Sequence, residues 1–306
     1  MMDGILVVWK PAGWTSHDVV AKARRLLRVK RIGHTGTLDP QVTGVLPLCI
    51  GRATRVVEYV QERPKTYEAT LCLGVATDTE DLTGTIIDSV PEVRITEDEV
   101  RQALASFVGE IEQVPPMYSA VRVDGKRLYE LAREGQVVER AARKVKIYSL
   151  NLLSFEDKGP HPRIRFSVEC SKGTYIRTLC VDIGKRLGLP AAMAELVRTQ
   201  SGGFVREQCL TLEQIEQLQA NNSLADKLIP ADAALSHMPK GIVSDLAATQ
   251  AFQGKPVDQG QVEWAGKAEP GEIVRLYGHS GLFVGLFQSG TESSLLKPIK
   301  VFTPIE

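Results

Sequence analysis

The octapeptide GHTGTLDP, residues 33–40, places an unusual number of backbone constraints around one acid. Gly33 and Gly36 permit backbone angles that are closed to other residues. Pro40 disfavours the helical region for the residue before it, so we expect Asp39 in an extended conformation on a loop. Taken alone, an Asp-Pro pair is most often a solvated turn starter, and a reactive carboxylate is the alternative.

The composition is ordinary for a globular protein and predicts one large domain with a smaller one. No apolar run has the length needed to cross a bilayer, so we expect no membrane partner. The start MMDGILVVWKP lacks the layout of a signal peptide, and the five cysteines form no C-x-x-C pair. We therefore expect reduced thiols, no metal site and a cytoplasmic protein.

Basic residues are clustered although the formal net charge is zero. Six of them, and no acid, fall between residues 22 and 31, and the stretch 115–147 holds eight basic residues against four acidic ones. Local fields of this kind can bind a polyanion. Solvated helix faces explain the charge pattern equally well by themselves.

The apolar spacing predicts a mixture of helices and strands that does not alternate strictly, which favours an α+β fold. Ser16 is predicted to cap a helix over 17–30. Short β-rich pieces separated by glycines after about residue 240 predict a small C-terminal β-rich domain. Strands are predicted over 4–9, 66–75, 143–153 and 163–170, and helical spacing follows over 176–187.

Several motifs in fixed order resemble the TruB family of tRNA pseudouridine synthases. The resemblance runs from about residue 4 to 205, and more loosely to the end. Trp9 departs from the pattern, because many relatives carry a polar residue before Lys-Pro. The motifs are GHTGTLDPQVTGVLPLCIG (33–51), KTYEA (65–69), QVPPMYSAVRVDGKRLYELAREG (113–135), CSKGTYIRTL (170–179) and LVRTQSGGF (196–204).

The resemblance implies the pseudouridine synthase fold, with a mixed, largely antiparallel central sheet flanked by helices. It implies a catalytic domain over 1–238, an RNA-binding insertion over 113–142 that orders on tRNA, and a PUA-like domain over 239–306. The implied partner is tRNA, and the protein is expected to be a monomer that binds it at the T-loop and T-arm.

The family converts uridine 55 of the tRNA T-loop to pseudouridine, detaching uracil from C1′ and rejoining it through C5. Breaking the glycosidic bond builds positive charge on the sugar, which a carboxylate can meet as nucleophile or base. Nothing is oxidised and no group is imported, so we expect neither a cofactor nor a metal. Asp39 matches the essential carboxylate, and attack on C1′, attack on C6 and removal of the C2′ proton all stay open.

Two further residues match catalytic positions of the family. Arg177 matches the arginine that pairs with the carboxylate, and an adjacent cation favours the ionised acid. Tyr67 matches the tyrosine that stacks on the target base and helps to move the C5 proton. Without the resemblance, an arginine at a helix start would be an exposed residue and a tyrosine on a strand a core residue.

Four residues match substrate-binding positions. Tyr175 and Leu196 match residues that line the base pocket, and His34 matches a histidine that helps to take uridine out of the loop stack. Such flipping is physically required, because the bond to be broken is inaccessible within a stacked loop. Lys10, in the Lys-Pro turn, is predicted to organise the pocket or to contact phosphate.

Two other functions compete with the synthase. A catalytically silent tRNA-binding or tRNA-folding protein of the same fold would keep its function after Asp39→Asn. A carboxylate-dependent nucleosidase would release free uracil. The joint presence of Asp39, Tyr67 and Arg177 argues against the first, and the basic insertion argues against the second.

Overall fold

The computed structural model describes residues 2–123, 125–266, 268–291 and 293–304, so the outer limits of the predicted domains, residues 1 and 306, lie outside it. The main predicted strands and the helix after residue 175 lie within a few residues of their predicted positions. The strands are β1 Gly4–Lys10, β2 Ile32–His34, β3 Thr43–Ile50, β4 Lys65–Leu73, β5 Val75–Thr77, β6 Ile86–Ser89, β7 Gly109–Gln113, β8 Arg122–Val123, β9 Lys126–Arg127, β10 Arg143–Glu156, β11 Arg163–Cys170, β12 Ala191–Ser201, β13 Phe204–Val205, β14 Lys240–Val243, β15 Val257–Asp258, β16 Glu263–Ala265, β17 Ile273–Gly278, β18 Phe283–Ser289 and β19 Leu295–Val301. The α-helices are α1 Ser16–Leu27, α2 Val57–Glu62, α3 Glu97–Ala105, α4 Leu128–Arg133, α5 Ile176–Arg186, α6 Leu212–Ala220 and α7 Asp245–Phe252.

Within these residues, a nine-stranded sheet forms the centre of the molecule, in the spatial order β1-β3-β12-β4-β11-β10-β7. The short strands β2 and β13 pair with β3 and β12. All neighbours are antiparallel except β12 and β3, which run parallel. The predicted α+β fold with a mixed, largely antiparallel sheet is therefore confirmed.

Gly44 allows the parallel crossing of β3 and β12. Its φ is +127°, and a Cβ there would lie 2.2 Å from the carbonyl oxygen of Arg198. Only glycine fits such a position without moving a strand. The close approach places Arg198 of β12 beside the strand that follows the Asp39 loop.

Helices and the C-terminal sheet cover opposite faces at the β1 and β3 end of the main sheet. Leu6 packs in one apolar cluster with Val19 of α1 and Ile215 of α6. The preceding residue of β1, Ile5, points to the other face, as alternation along a strand requires. It packs in a cluster that includes Phe302. Helices α3 and α5 pack against the β4, β11 and β10 part of the sheet.

Helix α1 begins one residue earlier than predicted, and Thr15 caps it in place of Ser16. The Thr15 Oγ1 accepts from the Asp18 N–H at 3.1 Å, and the Asp18 carboxylate accepts from the Thr15 N–H at 2.8 Å. Ser16 is buried, and its Oγ accepts from the Leu38 N–H at 2.9 Å. The helix ends before residue 30 because Arg28 adopts the left-handed conformation, with φ 55°. The start of α1 is thus tied to the Asp39 loop.

The C-terminal region forms a second, six-stranded sheet in the order β15-β19-β18-β17-β14-β16. The predicted β-rich C-terminal part is confirmed, while its exact boundary between residues 238 and 239 stays a prediction. Arg55 joins the two parts, because its guanidinium donates to the Val301 carbonyl and lies 5.4 Å from the centre of the Phe302 ring.

We predict that Gly44→Ala lowers the free energy of unfolding by about 2–4 kcal/mol, since the methyl group forces β3 and β12 apart and the backbone angle is strained. Chemical denaturation measures this change. Gly33→Ala is the matched control, because a Cβ at Gly33 meets only Val57 Cγ2, at 3.8 Å. Equal losses in the two variants would contradict the proposed role of the crossing.

Candidate active site

A cavity of about 330 Å³ opens where the Asp39 loop, the insertion and the start of α5 meet. Five of the predicted site residues line it: Asp39, Tyr67, Tyr175, Arg177 and Leu196. They come from a loop, two strands and a helix start that are distant in sequence. The cavity therefore brings together residues that the sequence motifs present separately.

Asp39 and Arg177 form an ion pair in the cavity wall, with Arg177 Nε 3.0 Å from Asp39 Oδ2. The arginine side chain is only 7% exposed, whereas that of Asp39 is 44% exposed. The other two guanidinium nitrogens donate to the carbonyl oxygens of Thr79 at 2.9 Å and Tyr118 at 2.7 Å. Since all three nitrogens are engaged, the planar group is fixed and holds an accessible carboxylate at the cavity.

The loop that carries Asp39 is held from behind by Lys10. This lysine is completely buried, and its ammonium donates to the carbonyl oxygens of Pro11, Trp14 and Pro40 at 2.9, 2.6 and 3.0 Å. Burial lowers the pKa of Lys10 to about 8, while the Asp39 charge acts to raise it. Lys10 is not among the residues that line the cavity, and its three donors are used on backbone, as a residue that organises the pocket requires. Its predicted role stays a prediction.

Arg198 is a site residue that the sequence interpretation missed. It is 1% exposed and donates to the carbonyl oxygens of Val45 at 2.8 Å and Gly36 at 3.1 Å. It therefore fixes the first half of the Asp39 loop. The motif LVRTQSGGF contains the signal that could have identified Arg198. This arginine lies two residues after Leu196, and alternation along a strand places both side chains on the same face.

Tyr67 lies in the cavity floor and is 7% exposed. Burial raises the pKa of the Tyr67 phenol, and the charge of the nearby Arg198 guanidinium opposes this effect. The hydroxyl therefore stays protonated at neutral pH. Lys65 begins the same strand and also lines the cavity; its ammonium donates to the carbonyl oxygens of Gln61 and Arg63.

His34 lies on β2 just before the cavity-lining segment of the loop, and its own side chain is not among the lining groups. Its Nδ1 accepts from the Gly36 N–H at 3.2 Å, which places the proton of the neutral ring on Nε2. The His17 ring packs edge-on against it at 5.5 Å. Burial lowers the pKa of His34 to about 4, so the ring is neutral at physiological pH.

Residues 118–120, which fall within the predicted insertion, reach the cavity. Ser119 and Ala120 line it, and the Tyr118 carbonyl accepts from Arg177. At the start of the insertion, the Gln113 side chain makes hydrogen bonds with both the N–H and the carbonyl of Tyr175. The insertion is thus joined to the helix start that carries Arg177.

The described ranges contain neither a metal-binding cluster nor a membrane-spanning helix. No cluster of three or more His, Cys, Asp or Glu side chains there is arranged to hold a metal ion. No helix among those residues has the length and apolar character to cross a membrane.

Comparison with known proteins identifies the family. The family model described as TruB family pseudouridylate synthase (N terminal domain) matches residues 24–176, and that of the tRNA pseudouridylate synthase B C-terminal domain matches 177–236. The chain belongs to the TruB family. It is 47% identical to tRNA pseudouridine synthase B of Bacillus licheniformis, with 98% of each chain covered, and 43% identical to that of Bacillus subtilis, with the same coverage.

Solved structures agree with membership of the TruB family. The fold matches a chain in the "Crystal Structure of a Cbf5-Nop10-Gar1 Complex" with a TM-score of 0.78 and 29% identity, over 99% of this chain and 86% of the other. A second match is the "Structure of H/ACA RNP bound to a substrate RNA containing 2'-deoxyuridine", with a TM-score of 0.76 and 28% identity, over 98% and 85% of the two chains. The resemblance inferred from the motifs is confirmed.

We predict that stability falls between pH 6.5 and pH 4 partly because of His34. Its pKa drops from 6.5 to about 4 on folding, so the unfolded chain takes up this proton first and acid favours unfolding. His34→Gln should flatten the dependence of the free energy of unfolding on pH in this window, as measured by urea denaturation. His279→Gln, at an exposed position in the C-terminal sheet region, is the control. An unchanged slope in His34→Gln would contradict the assignment.

Proposed function

We propose that this protein is a tRNA pseudouridine synthase that isomerises uridine 55 of the T-loop, acting as a cytoplasmic monomer without cofactor. The Asp39–Arg177 ion pair at the cavity carries the proposal, because it presents one accessible carboxylate on a rigid support. The relatives at 43–47% identity are named tRNA pseudouridine synthase B, which supports tRNA as the substrate.

Asp39 is the reacting group in this proposal. If it attacks C1′, an oxygen–carbon bond forms, the C1′–N1 bond breaks, and the electron pair leaves with uracil. If it attacks C6, the negative charge passes to the base, and if it takes the C2′ proton, uracil again leaves as the anion. Each route ends with a C1′–C5 bond, a proton lost from C5 and a proton gained at N1. The bond from Asp39 to C1′ or C6 breaks again, or the proton returns to C2′, so that the free carboxylate is restored. The product is an isomer of the substrate.

Other cavity residues have supporting roles in the proposed reaction. The protonated Tyr67 hydroxyl lies in the floor, where a uracil ring can stack on the phenol, and Tyr175 and Leu196 enclose the turning base. His34 presents a neutral N–H through Nε2 to a nucleotide that leaves the stack. Enclosure prevents the detached base from escaping before C5 faces the sugar.

RNA binding is assigned to the insertion over 113–142 and to the basic stretch over 22–31. Arg25, Arg28, Lys30 and Arg31 are exposed and are available for phosphate contacts. We further propose a catalytic domain over 1–238 and a PUA-like domain over 239–306 that adds modestly to affinity. The silent RNA-binding alternative is disfavoured by the rigid support around Asp39, which binding alone does not require.

We predict that the wild-type protein releases tritium from tRNA labelled at uracil C5, and that Asp39→Asn abolishes this release. The reason is that the amide neither attacks carbon nor removes a proton, although it keeps the size of the side chain. Release is measured by charcoal filtration, with Asp88→Asn on the exposed strand β6 as control.

Two outcomes of this assay separate the candidate functions, and one change of substrate tests the target position. Retention of label by folded wild-type protein would contradict the synthase. Free uracil, eluted from the charcoal and identified by chromatography, would indicate a nucleosidase. A tRNA carrying uridine 54 but cytidine at position 55 should release no label from the T-loop site, which tests the position of the target.

We predict that tRNA protects the insertion from trypsin. Cleavage after Arg122, Lys126 and Arg133, which are exposed, should slow when RNA covers them. Cleavage after Lys158, an exposed residue outside the insertion, is the internal control. Mass spectrometry of the fragments gives both rates in one digest. Equal cleavage of the insertion with and without tRNA would contradict its role as the part that closes on RNA.

A further inference from the structure

Lys65 is a buried cation at the cavity to which the proposed reaction gives no role. It is 7% exposed and begins β4 two residues before Tyr67, so the two side chains lie on the same face of the strand. Its ammonium donates to the carbonyl oxygens of Gln61 at 2.8 Å and Arg63 at 3.1 Å, where α2 ends. Among the described residues, the third N–H of this ammonium has no partner and no carboxylate forms an ion pair with it.

Capping of α2 does not by itself explain the position of Lys65. A lysine often donates to the last carbonyls of a helix, but such a lysine usually keeps its ammonium in water. Lys65 instead lines the cavity, and its Cε lies 3.5 Å from the point where a Cβ of Gly36 would stand. Buried charges are normally paired, because burial without a partner costs free energy. An unpaired ammonium at a cavity therefore indicates that a bound group supplies the missing partner.

The cavity wall carries more positive than negative charge. Of the described residues that line it, the cations are Lys65, Lys172, Arg177 and Arg198, and the acid is Asp39. Each guanidinium nitrogen of Arg177 and Arg198 already has an oxygen partner. Lys172 is ion-paired with Glu62. Within this set, Lys65 is therefore the cation whose charge and third N–H are most available to a bound group.

The proposed reaction places a negative charge on the base by every route that is open. If uracil leaves C1′, the electron pair of the C1′–N1 bond goes with it and spreads onto the two ring oxygens. If Asp39 adds to C6, the electron pair of the C5–C6 double bond passes to the oxygen on C4. Because Asp39 becomes neutral in each case, the charge moves from the carboxylate to the base within the same cavity.

We propose that Lys65 is a catalytic residue whose ammonium donates a hydrogen bond to a ring oxygen of uracil while the base carries this charge. The inference rests on the proposed function, since it concerns the interval in which Asp39 has reacted. No proton is transferred: the ammonium keeps its three N–H bonds, and the charge leaves the base again when the Asp39 carboxylate is restored.

The state of the ammonium suits this role. Burial, together with the charge of Arg198, lowers the pKa of Lys65 to about 8, so the group is still charged at neutral pH. A charged donor makes shorter and stronger hydrogen bonds than a neutral one, and most of all with an acceptor that is itself charged. Such a donor stabilises the anionic base more than neutral uracil, which is the condition for lowering the barrier.

Kinetics with Lys65→Met test the proposal, because methionine keeps a long side chain and removes both the charge and the donor. The rate of C5 tritium release at saturating tRNA should fall by about a hundredfold, while the Kd for tRNA stays at the wild-type value. Lys65→Gln, which keeps an N–H donor for the end of α2, replaces this variant if it does not fold. An unchanged rate with a raised Kd would overturn the proposal, because it would place Lys65 on a phosphate of the RNA.

Sulfur in place of a ring oxygen tests the contact itself, because sulfur is a weak acceptor. Transfer RNAs with 2-thiouridine or 4-thiouridine at position 55 are compared with the uridine form. For one of them, the ratio of thio to uridine rates should be about tenfold higher in Lys65→Met than in wild type. Lys172→Met is the matched control and should keep the wild-type ratio, because Lys172 lines the cavity with its charge paired to Glu62. Equal ratios in wild type and Lys65→Met would overturn the proposal.

Barbiturate, a ring of the size of uracil that is an anion at neutral pH, tests the site without any reaction. In calorimetric titrations, wild-type protein should bind barbiturate more tightly than uracil, and Lys65→Met should lose this preference. A wild-type protein without the preference, or a variant that keeps it, would overturn the proposal. If wild-type protein releases no tritium, the proposed function fails by itself, and the titrations still decide whether Lys65 binds an anionic base.

Discussion

The site depends on one buried guanidinium. Arg177 lies in the first turn of α5, where the helix dipole disfavours a cation, and it is stabilised there by Asp39 and by two backbone carbonyls. Those partners come from the Asp39 loop, the turn after β5 and the insertion. Three segments that are far apart in sequence are therefore positioned by a single planar group, and the carboxylate at the cavity takes its orientation from the same contact.

Two other buried cations, Lys10 and Arg198, stabilise the Asp39 loop without an acid. Lys10 donates to three carbonyl oxygens and Arg198 to those of Val45 and Gly36. Because backbone carbonyls serve as partners for these cations, the loop needs no second carboxylate. No other acid in the loop therefore competes with Asp39 for Arg177. The rigidity of the loop thus comes partly from contacts with its backbone, and the Asp39 carboxylate stays accessible at the cavity.

The sequence predicted most of the sheet, because alternating apolar residues on β4 and β11 specify which face is buried. It predicted Asp39 and Arg177 through motifs whose residues meet in the cavity. It did not predict Arg198. An arginine on a strand is expected to be exposed, and only the structure shows the neighbouring carbonyl oxygens that accept from its buried guanidinium. The cap of α1 was misplaced by one residue for a similar reason: Thr15 and Ser16 are both good caps, and only the buried bond of Ser16 to Leu38 distinguishes them.

The parallel crossing of β3 and β12 has a consequence for how the protein matures on the ribosome. Arg198 and Gly36 are 162 residues apart in sequence, yet their hydrogen bond fixes the Asp39 loop. A nascent chain that has emerged only as far as β11 holds the whole loop and none of its support from β12. The Asp39 loop therefore acquires its shape late in synthesis, and contacts of such long range make this step slow relative to local helix formation.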